Sequence, residues 1–359
     1  MRKGSFLILT FALLAGPVLR SSAQFDTISI FHGGIHDGQL LLEEYIRPWL
    51  DAYGYAMNAG WYNTATTHEI GGVDVMMTAN MTIVPQKART FDLAALPFDT
   101  LQVAGSPAIA PTVAGAAEEG PRLVYREMYN GDTITVADFN SPAGTGLAMM
   151  YIPFLQVGLG LPSRTDIIGR IMIPVGVPRS SARMSLAGIG VKHDLKQWMP
   201  GLEDIPVGVA FFGGYTWFRV YSGFKAEPDD YTYMEDHLPA DFTGQEVQSV
   251  IQAFMFDLLL STDLNYINAF ASVGYGRSWS KTRVFGNIPV PVFDPLISTE
   301  GPVYTDDHVY KVPDTKHTLH SNLRVNAGFR FNVSLFTLHL AYTWSGRSVY
   351  SAGLGMSFR

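Results

Sequence analysis

The run Val349-Tyr350-Ser351-Ala352-Gly353-Leu354-Gly355-Met356-Ser357-Phe358-Arg359 decides the fold. Tyr350, Ala352, Leu354, Met356 and Phe358 are apolar, whereas Ser351, Gly353, Gly355 and Ser357 are small or polar. A period of two places the two sets on opposite faces of an extended strand. Immediately upstream, Phe336, Leu338, Leu340, Tyr342 and Trp344 alternate with Thr337, His339, Ala341 and Thr343. Before them Leu323, Val325, Ala327, Phe329 and Phe331 alternate with Asn322, Arg324, Asn326, Gly328 and Arg330. The joints at 332–335 and 345–348 are short. Strands of about ten residues, linked by tight turns and closing on an aromatic, have the dimensions of a transmembrane β-meander. A soluble β-sandwich also alternates. Strand length, Tyr and Trp near the strand ends and an export signal favour the membrane barrel.

That signal is the N-terminus. Met1-Arg2-Lys3 is basic, residues 6–14 form an apolar run, and Ser21-Ser22-Ala23 offers small residues for cleavage before Gln24. This pattern is a secretory signal over 1–23, too short to span a bilayer as a helix. The chain has no cysteine, so neither a disulfide nor a thiolate metal site contributes. Charged residues are 16% of the 359 residues and aromatics 13%. A mean hydropathy of +0.11 fits strands with one polar face and is far below that of a helical membrane protein. The net charge of -7 argues against a nucleic-acid partner.

Residues 24–63 differ in kind. Asp37 reads as the N-cap of a short amphipathic helix carrying Leu40, Leu41, Tyr45 and Ile46 and ended by Pro48, with Tyr53, Tyr55, Met57 and Trp61 following in a Gly-spaced stretch. Ahead of a barrel wall, such a segment is expected to plug the lumen or lie on the rim. The barrel then occupies 64–359. Alternation predicts strands over 72–84, 147–160, 165–175, 184–194, 206–222, 245–261 and 266–284, which with the last three make ten. The stretch 85–145 is a long excursion hiding one hairpin near Leu123. The expected class is all-β, a transmembrane antiparallel up-and-down barrel of about 10–14 strands with a short N-terminal helical plug. With both termini on the periplasmic side, the long connections face outward and the short ones inward.

With the apolar set facing lipid, the inward set includes Asp166, Arg170, Lys192, Asp194, Arg324 and Arg330, and parity also sends Phe212 and Phe218 inward. Inward charges of both signs fill and lock a narrow barrel or line a wet one; the added aromatics suit a hydrophobic or amphipathic solute. The same parity predicts that Leu340→Arg blocks assembly while His339→Arg is tolerated.

No catalytic, cofactor or metal constellation emerges. His320-Ser321-Asn322 places its His and Ser on opposite strand faces, unable to pair as base and nucleophile. His32, His36 and Asp37 sit at a helix start, where capping explains them. The acidic loops at 229–236 and 300–308 lack calcium-loop spacing. The expectation is therefore not an enzyme.

The runs Gly60-Trp61-Tyr62-Asn63-Thr64-Ala65, His68 with Gly72-Val73-Asp74, Gly158-Leu159-Gly160-Leu161-Pro162 with Thr165-Asp166 and Arg170, and residues 188–194 with Gln197-Trp198 resemble an uncharacterised family of Gram-negative outer-membrane barrels. The layout is more distantly similar to the long-chain fatty-acid transporters (FadL-like), although the chain has no Asn-Pro-Ala hatch motif and fewer than fourteen strands. The resemblance implies an outer-membrane address, with outer-membrane lipid around the wall and the barrel-assembly machinery engaging the C-terminal strand. Two functional classes follow: a channel or transporter for small hydrophobic or amphipathic solutes, and a closed structural or partner-binding barrel.

Overall fold

A strand with one apolar and one polar face buries neither alone; closing ten of them into a ring gives each face its own solvent. The computed structural model describes residues 29–176, 182–201, 205–224, 241–299, 301–304 and 309–358; the signal segment and the acidic loop at 229–236 lie outside them. The wall consists of β1 (Val73–Ile83), β2 (Met149–Leu161), β3 (Thr165–Gly176), β4 (Arg183–Asp194), β5 (Val207–Gly223), β6 (Glu246–Thr262), β7 (Ile267–Phe285), β8 (Thr315–Val333), β9 (Phe336–Trp344) and β10 (Ser348–Phe358). Each strand pairs antiparallel with its sequence neighbour, and β1 pairs with both β2 and β10, closing the barrel. At the seam Val73 faces Phe358 and Thr82 faces Val349.

The faces separate by burial. On β9, Leu338 and Leu340 are 43% and 50% exposed toward lipid, while Thr337 and His339 between them are 2% and 1% exposed. The connections after β2, β6 and β8 are two to four residues long and that after β4 is 195–206, whereas those after β1, β5 and β7 are each more than twenty residues long. Short periplasmic turns and long outer loops orient barrels of this type, so the β1 start and the β10 end lie inward. Nine to eleven residues suffice to cross the membrane. The 17-residue β5 and β6 and the 19-residue β7 and β8 therefore rise past it on the outer side. β8 starts at Thr315, well before the alternation near Leu323 that reveals it in sequence, because its outer part lies above the lipid and carries no apolar stripe.

The helix is longer than its sequence signals indicate. α1 runs from Ile35 to Met57, 23 residues or about 35 Å, straight through Pro48. A proline inside a helix loses one backbone bond and strains its turn; here Leu50, Tyr53, Ala56 and Met57 pack against Phe218, Ile251 and Ala253 of the wall, and that burial holds the second half helical. Asp37 sits in the first turn, and Gly34 is the N-cap. The Asp37 carboxylate instead accepts the backbone N–H groups of Asp99, Thr100 and Leu101 at 2.8–2.9 Å, fastening the β1–β2 excursion to the helix.

α1 stands inside the barrel and not on its rim. Its start packs with Leu93, Leu101 and Leu123 of the excursion and with Ile288, Val290 and Val312 of the β7–β8 connection, a second apolar core capping the outer end. The expected hairpin is Arg122–Tyr129 with Asp132–Asn140; it joins Leu101–Ala104 in a separate three-stranded sheet in this cap. From Met57 the chain continues through the lumen to the inward end, turns at Gly71 and enters β1. The N-terminal segment thus threads the barrel from outer cap to inner rim before the wall begins.

Candidate functional site

The last carbonyls of a helix have no partner within it. In α1 they fall mid-lumen, where water cannot serve them, and the wall supplies donors. Asn80 of β1 donates to the carbonyls of Ala56 and Ala59, both at 2.8 Å. Arg170 of β3 donates to Ala59 O at 3.1 Å, and also to Met57 O and Thr216 Oγ1. Gln156 of β2 reaches Trp61 O at 3.0 Å. The Arg170 charge also opposes the negative end of the helix dipole, and its guanidinium carbon lies over the Trp61 ring, 3.5 Å from the centroid.

Below this layer, Asp257 of β6 pairs with Arg324 of β8 at 2.8 Å and accepts the Tyr62 hydroxyl, which lies 2.7 Å from Ser272 Oγ. Lower still, buried Asp166 of β3 meets Lys192 of β4 and the His68 ring, each at 3.0 Å, while Lys192 donates to Thr66 O at 2.7 Å. Arg330 donates to Asn63 Oδ1 at 2.9 Å. Phe212 packs against Trp61 and Tyr62, and Phe218 against Tyr53, with ring centroids 4.9–5.4 Å apart. Of the inward candidates, Asp166, Arg170, Lys192, Arg324, Arg330, Phe212 and Phe218 converge on the threaded segment or on its polar partners. Asp194 does not: it pairs with Arg164 at 3.4 Å and caps Lys196 N in the inner turns.

The inward glycines complete the seat. A Cβ on Gly188 or Gly214 would stand 3.0 Å from Trp61, and one on Gly190 would stand 2.6 Å from Phe212. The wall is cut back to hydrogen where the indole sits, and the inward Gly188-x-Gly190 spacing is the signal by which a sequence reading could have found that seat. Trp61, Tyr62 and Thr216 escape a reading based on charge alone, since what marks them is the segment they meet. His36, Asp37 and Asp99 lie close enough together to hold a cation between them, but the buried Asp37 carboxylate is already occupied by the three amides of the excursion.

A family model described as a family of unknown function, DUF6588, matches residues 1–358. The chain belongs to this family. Among curated proteins none matches the sequence of this DUF6588 member. Solved structures similar to it include Ail, the attachment invasion locus protein of Yersinia pestis, at 9% identity and a TM-score of 0.26, covering 81% of this chain and 99% of that one. The outer membrane protease OmpT from Escherichia coli aligns at 9% identity and a TM-score of 0.33, covering 82% and 100%. The Ralstonia pickettii toluene transporter TbuX aligns at 7% identity and a TM-score of 0.25, covering 83% and 92%.

Proposed function

We propose that this protein is a transport barrel of the Gram-negative outer membrane, closed at rest by its own N-terminal segment, that passes a small hydrophobic or amphipathic solute when the segment shifts. One observation carries the reading: what occupies the lumen is a separate threaded segment, α1 in its outer half and residues 58–70 below, seated on the inward side chains of the wall. Withdrawing α1 clears about 10 Å through the outer half, and the passage is complete only when residues 58–70 move with it. Its lining mixes Arg170, Asp257 and Arg324 with Phe212, Phe218 and Met255, a surface suited to a solute with polar and apolar parts.

A second reading, a permanently closed barrel working through its outer cap, is favoured by the polar seat. Moving the segment strands the buried Arg170 charge and several carbonyls, at several kcal/mol. A disulfide separates the two. A Cβ on Gly54 of α1 would stand 3.3 Å from Ser278 Cβ of β7, near disulfide spacing, and the chain offers no competing thiol. Gly54→Cys/Ser278→Cys protein is placed in planar bilayers. Solute-dependent openings that vanish on oxidation and return with reductant support gating; silence in wild type and in both redox states of the variant, with folding verified, supports the closed barrel.

A further inference from the structure

The lipid-facing positions are not uniform around the barrel. On one side the outer ends of β4, β5, β7 and β8 turn Arg183, Arg219, Lys281, Arg283 and Lys316 outward, with Arg277 outward lower on β7, all exposed or half-exposed. Arg183, Arg219, Arg277, Lys281 and Arg283 share strand parity with lipid-facing Ile189, Tyr215, Val273 and Tyr275. Lys316 joins them through a register shift beside Trp279, which sets it opposite Lys281. Among the described residues, the outward positions of β1, β2, β3, β9 and β10 carry no Lys or Arg.

The register turns these residues into rows. Arg219 faces Val250, Val250 faces Lys281, and Lys281 faces Lys316. One step further out, Arg183 faces Tyr221, Tyr221 faces Gln248, and Gln248 faces Arg283. Just beneath lie Trp217 and Trp279, then Tyr215 and Phe254 in one row with Arg277, with Phe256 and Leu258 below. Aromatics of this kind mark the membrane interface, so the basic rows stand at headgroup height on the outer leaflet.

Like charges directly opposite on paired strands destabilise a sheet. Lys281 and Lys316 are so placed in a protein of net charge -7. Among the described residues the carboxylates in reach are few: Asp314 binds Lys281 at 2.5 Å and Arg283 at 3.3 Å, and the Lys281 hydrogen bond holds its carboxyl below the ordinary range. Glu246 stands at the outer lip of β6. Arg219 lies over Trp217, 4.6 Å from the ring centroid, and its Nε has no partner among the described residues. Among the described residues the rows hold more cation than these two acids neutralise, and they hold it above an apolar surface.

We infer that the outer half of the β4–β8 wall binds the phosphorylated headgroup of an outer-leaflet glycolipid, its phosphates among Arg219, Lys281 and Lys316 and its acyl chains along Phe254, Phe256 and Leu258. The inference rests on the orientation used above, with the long loops outside, and not on gating. Charge-assisted contacts to phosphate are strong where water is scarce, and a lipid anchored on one side explains why the basic rows are confined to that side.

The test uses full-length protein folded in phosphatidylcholine vesicles, with bisphosphorylated lipid A, dephosphorylated lipid A or inorganic phosphate added, and reads the temperature at which heat-modifiable gel migration is lost. The phosphorylated lipid alone should raise that temperature. The Arg219→Gln/Lys281→Gln/Lys316→Gln variant should need about ten-fold more of it for the same rise. An equal rise with dephosphorylated lipid, an equal rise with inorganic phosphate, or an unchanged dose response in the variant overturns the inference. If the variant does not fold, the wild-type comparison decides: no rise with the phosphorylated lipid overturns it as well. Because the readout is stability and not conductance, a silent barrel leaves this result standing.

Discussion

The guanidinium carbon of Arg170 lies 3.5 Å from the centroid of the Trp61 ring while the same group donates to the backbone of Met57 and Ala59. One wall side chain therefore fastens both the helix end and the first aromatic below it. Arg170→Ala removes the stacking and leaves carbonyls buried without donors, and should cost about 3 kcal/mol. Arg170→Lys keeps the charge but loses the flat fork, and should fall between. Midpoints of urea unfolding in micelles measure both; an alanine variant as stable as wild type would show that the segment does not depend on this contact.

The glycine seat makes an opposite demand. In Gly190→Val or Gly214→Val the new side chain must displace Phe212 or Trp61, since a Cβ alone comes within 2.6–2.8 Å of the Phe212 ring. Overpacking of this kind costs about 1–3 kcal/mol. Under the gating reading it loosens the segment, so openings in bilayers should be more frequent than in wild type. Protease access to the 58–66 stretch provides a second readout, and no change in either would mean the wall yields instead.

How much of this was legible follows from what each residue responds to. The alternation of Leu338 and Leu340 with Thr337 and His339 is a local record of two solvents, and it placed these wall strands and their faces. The full reach of α1 was not local: Pro48 marks a stop in any isolated helix, and only burial against Phe218 and Ile251 carries it onward. Polar inward residues likewise announced their face but not their partner. Arg170 reads as a pore charge until Met57, Ala59 and Trp61 are brought beneath it.

The same limit corrects the expectation that His339→Arg is tolerated. His339 does face inward, but it is 1% exposed, and a Cβ on Gly353 would stand 2.2 Å from its ring. An arginine has no room there and no carboxylate awaiting it among the described neighbours. His339→Arg should therefore fail to assemble, as should Leu340→Arg, which places a charge in the apolar band at about 2–4 kcal/mol. The two failures differ in kind: His339→Asn, smaller and polar, should assemble, whereas Leu340→Asn should remain impaired. Heat-modifiable migration of membrane fractions distinguishes them, and equal recovery of both asparagine variants would refute the assigned faces.

The seam supplies the last expectation. Phe358 faces Val73 across the closing pair and is 43% exposed to lipid at the inner interface. Its removal deletes the last rung of a ladder that extends to Thr82 and Val349 and one partly buried ring, so the closed barrel should lose only about 1–2 kcal/mol. Barrel assembly in the cell is a different matter if the terminal strand is the part recognised before closure. Protein lacking Phe358 and Arg359 should then refold in detergent with near-normal heat-modifiable migration yet accumulate poorly in the outer membrane. Normal membrane levels would remove the C-terminal aromatic from any role in recognition, while failure in detergent as well would place its effect in the stability of the seam.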